Sequence, residues 1–431
     1  MKIAIAGYGI EGEANYAYWN TLDNDITIVD TKEQPDRALP PDAKTILGEG
    51  AFDELRGFDI VIRTAGLAPD KIKTDGHVWS ATNEFFEKCP ALIIGVTGSK
   101  GKGTTSSLIA HILRAGGHTV HLVGNIGVPA LEILPDISDD DIVVYELSSF
   151  QLWDLERSPQ VGVVVHIEED HLDVHENFQD YITAKGNIAR KQGINDRLVY
   201  NTKNKWASEI AELSVGQRIP YPTERTAHVR DGNFWYNEQL LCSVDELQLA
   251  GIHNQENACA AIATVWPWVQ DGVVIGEGIR SFEGLEHRLK LVREVAGIRY
   301  YDDSIATTPG SAIAALRAFS EPKIIILGGS SKGADFTELA QVAAERNVKY
   351  ALLVGEEADR LETELQEAGV KTENLGPRAS MENVVEAASA HAEAGDVVIL
   401  SPACASFGMF KNYADRGDQF IKAVTSLSSE I

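Results

Sequence analysis

The chain has 431 residues, of which 44% are hydrophobic and 24% are charged, and its formal net charge is −26. This length is too great for one ordinary domain and predicts about three, each with a packed core. So acidic a chain, in which no basic patch is visible, argues against nucleic acid or an anionic membrane surface as a partner.

The sequence also lacks the signals of secretion and membrane insertion. Its first segment, MKIAIAGYGI, is typical of a β-strand rather than a signal peptide. No run of about 18 apolar residues predicts a transmembrane helix. The four cysteines are far apart without a C-x-x-C pair, so neither a zinc site nor a disulfide framework is indicated. We therefore expect a cytoplasmic protein.

The first predicted elements form a nucleotide-binding turn. An apolar strand of residues 2–6 leads into GYGIEG, residues 7–12, which has the G-x-G-x-x-G spacing of a dinucleotide fold. A second strand, residues 26–29, ends at Asp30, where a Rossmann domain places an acid that binds a ribose. This fingerprint is weak when taken alone, so NAD and a nucleotide carried by the substrate both remain open.

A glycine-rich segment, residues 93–105 (IIGVTGSKGKGTT), is the clearest functional motif. An apolar strand precedes the glycines and a predicted helix follows them. Glycine N–H groups and the positive end of a helix favour phosphate, and Lys102 adds a mobile cation. The segment departs from the standard P-loop because Gly103 replaces the magnesium-binding hydroxyl, which Thr104 or Thr105 can supply instead. ATP or GTP is the predicted ligand.

Acidic residues follow the next two buried strands. Glu146 ends one of them beside the phosphate loop, where an acid can hold magnesium as in a Walker B element. A solvated carboxylate is an equally good interpretation of Glu146. A strand of residues 161–167 leads into HIEEDHLDVH, residues 166–175, whose acids and histidines predict a cation site for some of its members.

Three further polar residues are predicted on helices of the middle region. For Lys185, an exposed helical lysine is the ordinary interpretation. Asn254 and Asn257 lie three residues apart and so share one helix face. They either contact a base edge or cap the helix.

Four short apolar strands alternate with helical stretches in the last third of the chain. This alternation predicts a third parallel α/β domain, with strands at residues 298–302, 323–327, 350–354 and 396–400. Open α/β sheets bind ligands at the carboxyl ends of their strands. The loops at those ends contain the site candidates Asp303, Thr307, Lys332, Ser406 and Phe407.

Together these patterns predict an α/β protein of three domains. Residues 1–90 are expected to form a Rossmann-like domain and residues 91–284 a central domain with a P-loop ATPase-like parallel sheet. Residues 285–431 are expected to form a second Rossmann-like domain.

The ordered set of motifs resembles the Mur ligase family. The set comprises TGSKGKGTT, GNIG, ELSSFQL, EDHLDVH, the lysine of YITAK, HNQEN, EHR, DDSIATTPGSA, GGSSKGADF and SPACASFG. It covers nearly the whole chain, and several motifs in one order are far more specific than any single motif. The resemblance is closest to the family member that joins D-glutamate to UDP-N-acetylmuramoyl-L-alanine in peptidoglycan synthesis.

The resemblance implies a reaction and a role for each domain. The first domain would hold the UDP of the substrate, the central domain ATP and two magnesium ions, and the last domain the incoming D-glutamate. ATP would convert the alanyl carboxylate to an acyl phosphate, which the glutamate amine then attacks. A monomeric enzyme is expected.

Residue roles follow from the resemblance at the matching positions. The catalytic residues would be Lys102, His171 and Lys185, of which Lys185 would be carbamylated. The metal ligands would be Thr104, Glu146, His171 and Lys185. ATP would be bound by Gly98, Ser99, Lys100, Gly101, Lys102, Gly103, Thr104, Thr105, Asn254, Asn257, Arg288 and Asp303. The UDP-substrate would be bound by Gly9, Ile10, Glu11, Asp30, Thr31, Lys32, Gly66 and Asn125. The amino acid would be bound by Thr307, Lys332, Ser406, Phe407 and Tyr413.

The sequence departs from the family pattern at several positions. Gly103 follows the loop lysine where a hydroxyl is usual, and Ile305 replaces a lysine near the amino-acid site. Gly408 and Tyr413 also differ from the common residues. Within the same mechanism, another Mur ligase, a folylpolyglutamate-type ligase and an L-glutamate-specific variant remain alternatives. An NAD-dependent dehydrogenase and a catalytically inactive nucleotide-binding protein are alternatives of a different class.

Overall fold

The computed structural model describes residues 1–20, 24–125, 129–249, 251–331 and 333–428. The chain divides into two compact units. The first unit comprises Met1–Glu246 and Gln255–Ile279, and the second comprises Leu247–Asn254 and Arg280–Ile431. Parallel sheets with flanking helices dominate both units, so the predicted α/β class is confirmed.

The first sheet of the first unit has five parallel strands in the order β3-β2-β1-β4-β5. The strands are β1 (Lys2–Ala6), β2 (Asp25–Asp30), β3 (Lys44–Leu47), β4 (Ile60–Arg63) and β5 (His77–Ser80), with helices α1 (Ile10–Trp19) and α2 (Ala81–Lys88). The strand order reverses between β1 and β4, which is where Rossmann-like sheets bind nucleotides. The predicted glycine turn follows β1 and therefore lies at this point.

The second sheet of the first unit has six parallel strands in the order β11-β10-β9-β6-β8-β7. Its elements are β6 (Leu92–Thr97), α3 (Lys102–Ala115), β7 (Val120–Gly124), α4 (Ala130–Ile133), β8 (Ile142–Glu146), α5 (Ser149–Leu152), β9 (Val161–Val164), α6 (Phe178–Arg190), β10 (Arg197–Asn201), α7 (Lys205–Ala211) and β11 (Gln217–Tyr221). The predicted strand of residues 161–167 is too long, because β9 ends at Val164. Beyond that residue the carbonyl of His166 accepts hydrogen bonds from the phosphate loop instead of from a neighbouring strand.

A small antiparallel sheet follows in the first unit and was not predicted. It consists of β12 (Ala227–Arg230), β13 (Asn233–Tyr236) and β14 (Gln239–Ser243), and it precedes α8 (Ile252–Val265) and α9 (Gly272–Arg280). These strands have only four or five residues and are partly polar, so they lack the apolar runs that identified the parallel strands.

The sheet of the second unit has six strands in the order β15-β16-β20-β17-β18-β19. Its elements are β15 (Lys290–Val295), β16 (Ile298–Asp302), α10 (Pro309–Arg317), β17 (Lys323–Gly329), α11 (Thr337–Glu345), β18 (Val348–Gly355), α12 (Ala358–Glu367), β19 (Thr372–Gly376), α13 (Met381–His391), β20 (Val397–Leu400) and α14 (Tyr413–Thr425). All seven residues of β17 are buried, as expected for a central strand covered on both faces. The four predicted strands are parallel to one another, whereas the edge strand β15, which was not predicted, pairs antiparallel with β16.

Domain boundaries at residues 90/91 and 284/285 stay predictions, since the first unit contains both the first and second parallel sheets. Among the helices of the described ranges, none has the length and apolar character needed to cross a membrane.

Candidate active site

The phosphate loop lies between β6 and α3, and two of its glycines have close neighbours. Gly101 is the N-cap of α3 and has a φ of +87°, which favours glycine. A Cβ atom at Gly101 would lie 2.3 Å from the side-chain oxygen of Asn257. A Cβ atom at Gly98 would lie 2.4 Å from Cγ2 of Val165. Both positions therefore exclude larger residues.

Hydrogen bonds hold the first half of the loop in place. The N–H groups of Ser99 and Lys100 both donate to the carbonyl of His166, at 2.7 and 3.3 Å. The Ser99 hydroxyl donates to the carbonyl of Glu168 at 2.8 Å. Helix geometry leaves the N–H groups of the first turn of α3, residues 102–104, without intrahelical partners. An anion is therefore expected at this turn rather than at residues 99–100.

Two lysine amines meet at one carbonyl oxygen of the loop. Lys102 Nζ donates to the carbonyls of Gly98 and Ser99 at 2.9 and 3.0 Å. Lys185 lies on α6, is 1% exposed and donates from Nζ to the same Gly98 carbonyl at 2.8 Å. Burial, followed by the nearby charge of Lys102, holds the pKa of Lys185 well below its usual value of 10.5. The interpretation of Lys185 as an exposed helical lysine is wrong.

Glu146 ends β8 with a carboxylate oxygen that has no partner in the described part of the chain. The residue is 3% exposed, and its Oε1 accepts a hydrogen bond from Asn125 Nδ2 at 2.9 Å. Its Oε2 is buried and has no hydrogen-bond partner among the described residues. A divalent cation would satisfy this oxygen, so Glu146 fits the predicted role of magnesium ligand.

The predicted metal ligands do not form a closed cage. Within the described ranges, no group of three His, Cys, Asp or Glu side chains is gathered around a possible ion position. Magnesium does not require such a group, because it keeps waters and binds phosphate oxygens in addition to one or two carboxylates.

Two buried threonines are available in place of the hydroxyl missing at Gly103. Thr104 is 7% exposed and Thr105 is fully buried, both in the first turn of α3. The Thr105 hydroxyl has no hydrogen-bond partner among the described residues. Both threonines therefore remain candidates, and Thr104 as a metal ligand stays a prediction.

His171 lies in the loop after β9 in an unfavourable backbone conformation. Its φ is +55°, which is uncommon for a residue with a Cβ atom. Burial lowers the pKa of its imidazole; the carboxylate of Asp170 opposes this effect, whereas the charge of Lys102 adds to it. The lowered pKa favours neutral imidazole, which is the form that binds a metal ion.

A cavity of about 270 Å³ adjoins the N-terminal glycine turn. Its lining includes residues of α1, the loops after β4 and β7, strand β8 and helix α5, among them Ile10, Glu11, Ala65, Asn125, Tyr145 and Gln151. Glu11 accepts a hydrogen bond from the Ala65 N–H at 2.8 Å, and burial raises the pKa of its carboxyl group. The structure thus brings together Ile10, Glu11 and Asn125, three of the residues predicted to bind the UDP-substrate.

Both oxygens of Asp30 accept hydrogen bonds from the main chain. The N–H of Tyr8 donates to Oδ2 at 2.8 Å, and the N–H of Lys32 donates to Oδ1 at 2.9 Å. Asp30 therefore holds the glycine turn against the end of β2, and its oxygens keep further lone pairs for a ribose hydroxyl. The other predicted UDP-substrate residues follow β1, β2 and β4 at the same carboxyl edge, namely Gly9, Thr31, Lys32 and Gly66.

Asn254 and Asn257 both lie on α8, as predicted, and each is 7% exposed. The side-chain oxygen of Asn257 lies 2.3 Å from the position of a Cβ atom built on Gly101, so Asn257 packs against the phosphate loop. Contact of either asparagine with a base stays a prediction.

Asp303, in the second unit, follows β16 and is 6% exposed. Its Oδ2 accepts from the Ser401 hydroxyl at 2.7 Å, and its Oδ1 accepts from the Leu289 N–H at 3.1 Å. Burial raises the pKa of this carboxyl group to about 7, although Ser401 and then the charge of Arg288 act in the opposite direction. Asp303 and Arg288, both predicted to bind ATP, are therefore electrostatically coupled.

Three loops meet at the carboxyl edge of the second unit's sheet. The N–H of Ala403 donates to the carbonyl of Ala306 at 2.9 Å, and that of Ser330 donates to the carbonyl of Ala405 at 2.8 Å. These bonds join the loops after β16, β17 and β20.

The predicted amino-acid residues are distributed over these loops and the start of α14. Thr307 follows β16, and Ser406 and Phe407 follow β20. Ser406 is buried, whereas Phe407 and Tyr413 are 63% and 41% exposed. Lys332 lies outside the described residues.

Tyr181 belongs to the site but was not predicted from the sequence. Lys185 Nζ lies 4.6 Å from the centre of its ring, and its hydroxyl lies 2.8 Å from that of Ser99. Its position four residues before Lys185 places the two side chains on one helix face, which is the signal that identifies it.

A buried ion pair next to the site also escaped the sequence analysis. Arg63 is fully buried, and its Nε donates to Asp154 at 2.6 Å. Its NH2 group donates to the same carboxylate and, at 2.8 Å, to the carbonyl of Phe150. Because 91 residues separate Arg63 from Asp154, no local pattern reveals the pair.

Two family models match the chain. The model of the Mur ligase middle domain matches residues 96–265, and that of the Mur ligase, glutamate ligase domain matches residues 287–404.

Two curated proteins and one solved structure are similar to this chain over nearly its full length. The UDP-N-acetylmuramoylalanine--D-glutamate ligase of Acetivibrio thermocellus is 39% identical, with 99% of this chain and 97% of that protein covered. The protein of the same name from Clostridium tetani is 36% identical with the same coverage. MurF from Acinetobacter baumannii gives a TM-score of 0.65 at 14% identity, covering 98% of this chain and 93% of that one, which is a likeness of fold.

Proposed function

The chain belongs to the Mur ligase family, and on that premise we propose that it joins D-glutamate to UDP-N-acetylmuramoyl-L-alanine while ATP is converted to ADP and phosphate. The full-length similarity to ligases named for this reaction carries the proposal. The phosphate loop supports it, because two lysine amines, a helix N-terminus and a partly unsatisfied carboxylate lie close together there.

The reaction proceeds in two balanced steps. The alanyl carboxylate attacks the γ-phosphorus of ATP, so a C–O–P linkage forms and the bond to ADP breaks. The amine of D-glutamate then attacks the carbonyl carbon and loses a proton, and inorganic phosphate leaves as the amide forms. The first step is necessary because a free carboxylate is a poor electrophile, whereas an acyl phosphate has a good leaving group.

This chain's residues stabilise the charge on the transferred group. Lys102 and the first turn of α3 provide a cation and main-chain N–H donors where phosphoryl oxygens carry negative charge. In a site that excludes water, such preorganised donors stabilise the transition state more than the ground state.

Magnesium, when bound, would neutralise phosphate charge and orient the reacting oxygens. Glu146, His171, Lys185 and Thr104 would hold it, with two ions as the expected number. Lys185 fits this set only after modification, since an amine on a lysine with lowered pKa is nucleophilic and can add carbon dioxide to give a carbamate oxygen ligand. Carbamylation of Lys185 is therefore part of the proposal.

The remaining residues would position the two substrates. The cavity beside Glu11 and Asn125 would receive part of the UDP-substrate, with Asp30 directed to a ribose. Thr307, Ser406, Phe407, Tyr413 and Lys332 would surround the amino acid, and Ile305 leaves this loop without one positive charge. D-glutamate is the proposed amino acid, and L-glutamate is the alternative that the test must separate.

The test is ADP release from ATP, magnesium, UDP-N-acetylmuramoyl-L-alanine and either glutamate enantiomer. We expect steady release with D-glutamate only, and transfer of isotopic oxygen from the alanyl carboxylate into orthophosphate. A rate that is unchanged when both enantiomers are omitted would contradict the ligase, and a preference for L-glutamate would correct the substrate.

Lys102→Ala provides a second test of the same site. Loss of one charge-stabilising donor is expected to reduce kcat by roughly 100- to 1,000-fold. Lys191→Ala is the matched control, because Lys191 is exposed at the C-cap of α6 and its loss is expected to leave kcat unchanged.

The family assignment favours a ligase over the NAD-dependent dehydrogenase that the first glycine turn alone allowed. A monomeric state and a cytoplasmic location stay predictions.

A further inference from the structure

A buried histidine near the phosphate loop is bonded on both sides of its ring. The side chain of His175 is fully buried. Its Nδ1 lies 2.7 Å from Oδ2 of Asp180, and its Nε2 lies 3.0 Å from Oγ of Ser149. The three side chains form a continuous hydrogen-bonded chain, which we call the Ser149–His175–Asp180 chain.

Three aromatic rings also surround the imidazole. The ring of Phe150 is stacked on it with centroids 5.5 Å apart and an interplanar angle of 11°. The ring centroids of Trp153 and Tyr181 lie 4.3 and 5.2 Å from that of His175. The imidazole therefore cannot rotate without breaking two hydrogen bonds and disturbing this packing.

The Ser149–His175–Asp180 chain joins the three segments that carry the proposed metal ligands. Ser149 begins α5, three residues after Glu146. Asp180 lies in the first turn of α6, five residues before Lys185. Each end of the Ser149–His175–Asp180 chain is therefore three to five residues from a proposed metal ligand along the sequence.

The middle of the chain is connected to the third ligand, His171. The N–H of His175 donates to the carbonyl of His171 at 3.0 Å. The ring of Phe150 contacts both imidazoles, with its centroid 4.9 Å from that of His171 and 5.5 Å from that of His175. His171 has a positive φ, an unfavourable conformation that persists only where its surroundings enforce it. The anchored His175 supplies such an enforcing contact.

The same three residue types also form the catalytic triad of serine hydrolases, but the Ser149–His175–Asp180 chain does not fit that chemistry. Ser149 and His175 are each 2% exposed, so an acyl group has no route to the hydroxyl. A catalytic serine must reach its substrate and an oxyanion site. The Ser149–His175–Asp180 chain accordingly connects structural elements, and its serine does not act as a nucleophile.

We propose that the Ser149–His175–Asp180 chain is a positioning device that holds His171 in place relative to Glu146 and Lys185, and thereby sets the affinity of the site for a divalent cation. The inference rests on the proposed function for the identity of the metal site. It assigns roles to Ser149, His175 and Asp180 that act through other residues.

The experiment measures Mn²⁺ binding to the full-length protein saturated with ADP, by electron paramagnetic resonance, for wild type, Ser149→Ala, His175→Gln and Asp180→Ala. Loss of residues that orient metal ligands typically weakens metal binding by roughly 10- to 100-fold, which is the effect expected for each variant. ADP affinity without metal is expected to be unchanged. Asp180→Asn keeps an oxygen acceptor for the imidazole and is expected to restore most of the Mn²⁺ affinity.

Asp141→Ala is the matched control. Asp141 accepts a hydrogen bond from another histidine, His121, at 2.9 Å, but it precedes β8 and so lies at the opposite end of that strand from Glu146. This variant is expected to bind Mn²⁺ as the wild type does. If His175→Gln does not fold, Ser149→Ala and Asp180→Ala decide the question, since each removes only one hydrogen bond and retains the imidazole ring.

Mn²⁺ affinity within twofold of wild type in the folded variants would overturn the proposal, as would covalent labelling of Ser149 by a fluorophosphonate. Failure of the proposed function gives a different result. In that case wild type shows no glutamate-dependent ADP release, while the variants still lose Mn²⁺ affinity.

Discussion

Single buried charges carry much of the chemistry of this protein. Lys185 lies fully buried beside Lys102, and both donate to the carbonyl of Gly98. A protonated amine in this position would be opposed both by burial and by its neighbour, so the fold lowers the pKa of Lys185. Asp303 shows the converse effect, because burial makes its carboxylate unfavourable and raises its pKa. In both residues burial thus shifts the pKa toward the uncharged form.

Asp303 predicts a pH dependence of stability. Because its pKa rises from 3.8 in the unfolded chain to about 7 in the folded one, the folded state binds the proton more tightly. The free energy of unfolding is therefore expected to fall as pH rises from about 4 to 7, by up to about 4 kcal/mol. Urea unfolding at several pH values should show a shallower fall for Asp303→Asn.

Asp415→Asn is the control for this measurement. Asp415 accepts a hydrogen bond from the Lys411 N–H, which lowers its pKa, so its titration lies below this pH window. The variant should retain the slope of the wild type. Equal slopes for wild type and Asp303→Asn would contradict the prediction.

At the scale of elements, the junctions between strands and helices determine the site. The turn from β6 to α3 requires Gly101 because its φ is positive and Asn257 of α8 lies against it. The end of β4 is held by Arg63, whose guanidinium is fully buried and ion-paired with Asp154. Both junctions place main-chain groups where the substrates are proposed to bind.

Gly101→Ala is expected to weaken ADP binding by more than tenfold. Its new Cβ would lie 2.3 Å from the Asn257 oxygen, so the loop or α8 must move. Gly117→Ala separates this effect from backbone strain, because Gly117 has a similar φ of +86° with no neighbour within 4 Å of its Cβ position. Isothermal titration with ADP compares the two variants. Equal losses of affinity would show that the contact with Asn257 is unimportant.

The Arg63–Asp154 pair predicts an asymmetry between two substitutions. Asp154→Ala leaves a fully buried guanidinium without its carboxylate and should cost about 3 kcal/mol of unfolding free energy. Arg63→Met removes the buried charge as well, and the Asp154 carboxylate left behind is 21% exposed to water. We therefore expect Arg63→Met to lower the free energy of unfolding less than Asp154→Ala does, as measured by unfolding in guanidinium chloride. The reverse order would contradict the assignment of Arg63 as the costly charge.

At the scale of the whole molecule, the net charge of −26 opposes compactness. Any phosphate-bearing substrate must therefore bind where local donors outweigh the overall field, as Lys102 and the N-terminus of α3 are proposed to do in the first unit. The two units have separate sheets and cores.

This acidity predicts stabilisation by salt. Raising sodium chloride from about 10 to 150 mM shortens the screening length and should raise the Tm at pH 7. Each 1 kcal/mol of relieved repulsion corresponds to roughly 2–4 °C in a domain of 150–250 residues. The effect should vanish near pH 4.8, the isoelectric point, which provides the internal control. Differential scanning fluorimetry measures the Tm at both pH values. An equal salt effect at the two pH values would exclude electrostatic self-repulsion as the cause of the stabilisation.

The sequence alone determined the fold class and the principal motifs, because both depend on local patterns. Continuous apolar runs identified the central strands, such as β17, and the strand-to-helix glycines identified the phosphate loop. The short strands β12–β14 and the antiparallel edge strand β15 were missed, since their partly polar residues lack a distinctive period.

Only the tertiary structure decided the state and partners of the site residues. Lys185 looks like any helical lysine until α6 packs against the phosphate loop and buries its amine. The pairing of Arg63 with Asp154 and the bonds of His175 join residues that are distant in sequence or in separate elements. Burial and pKa depend on everything that surrounds a group, and a linear pattern records only its neighbours along the chain.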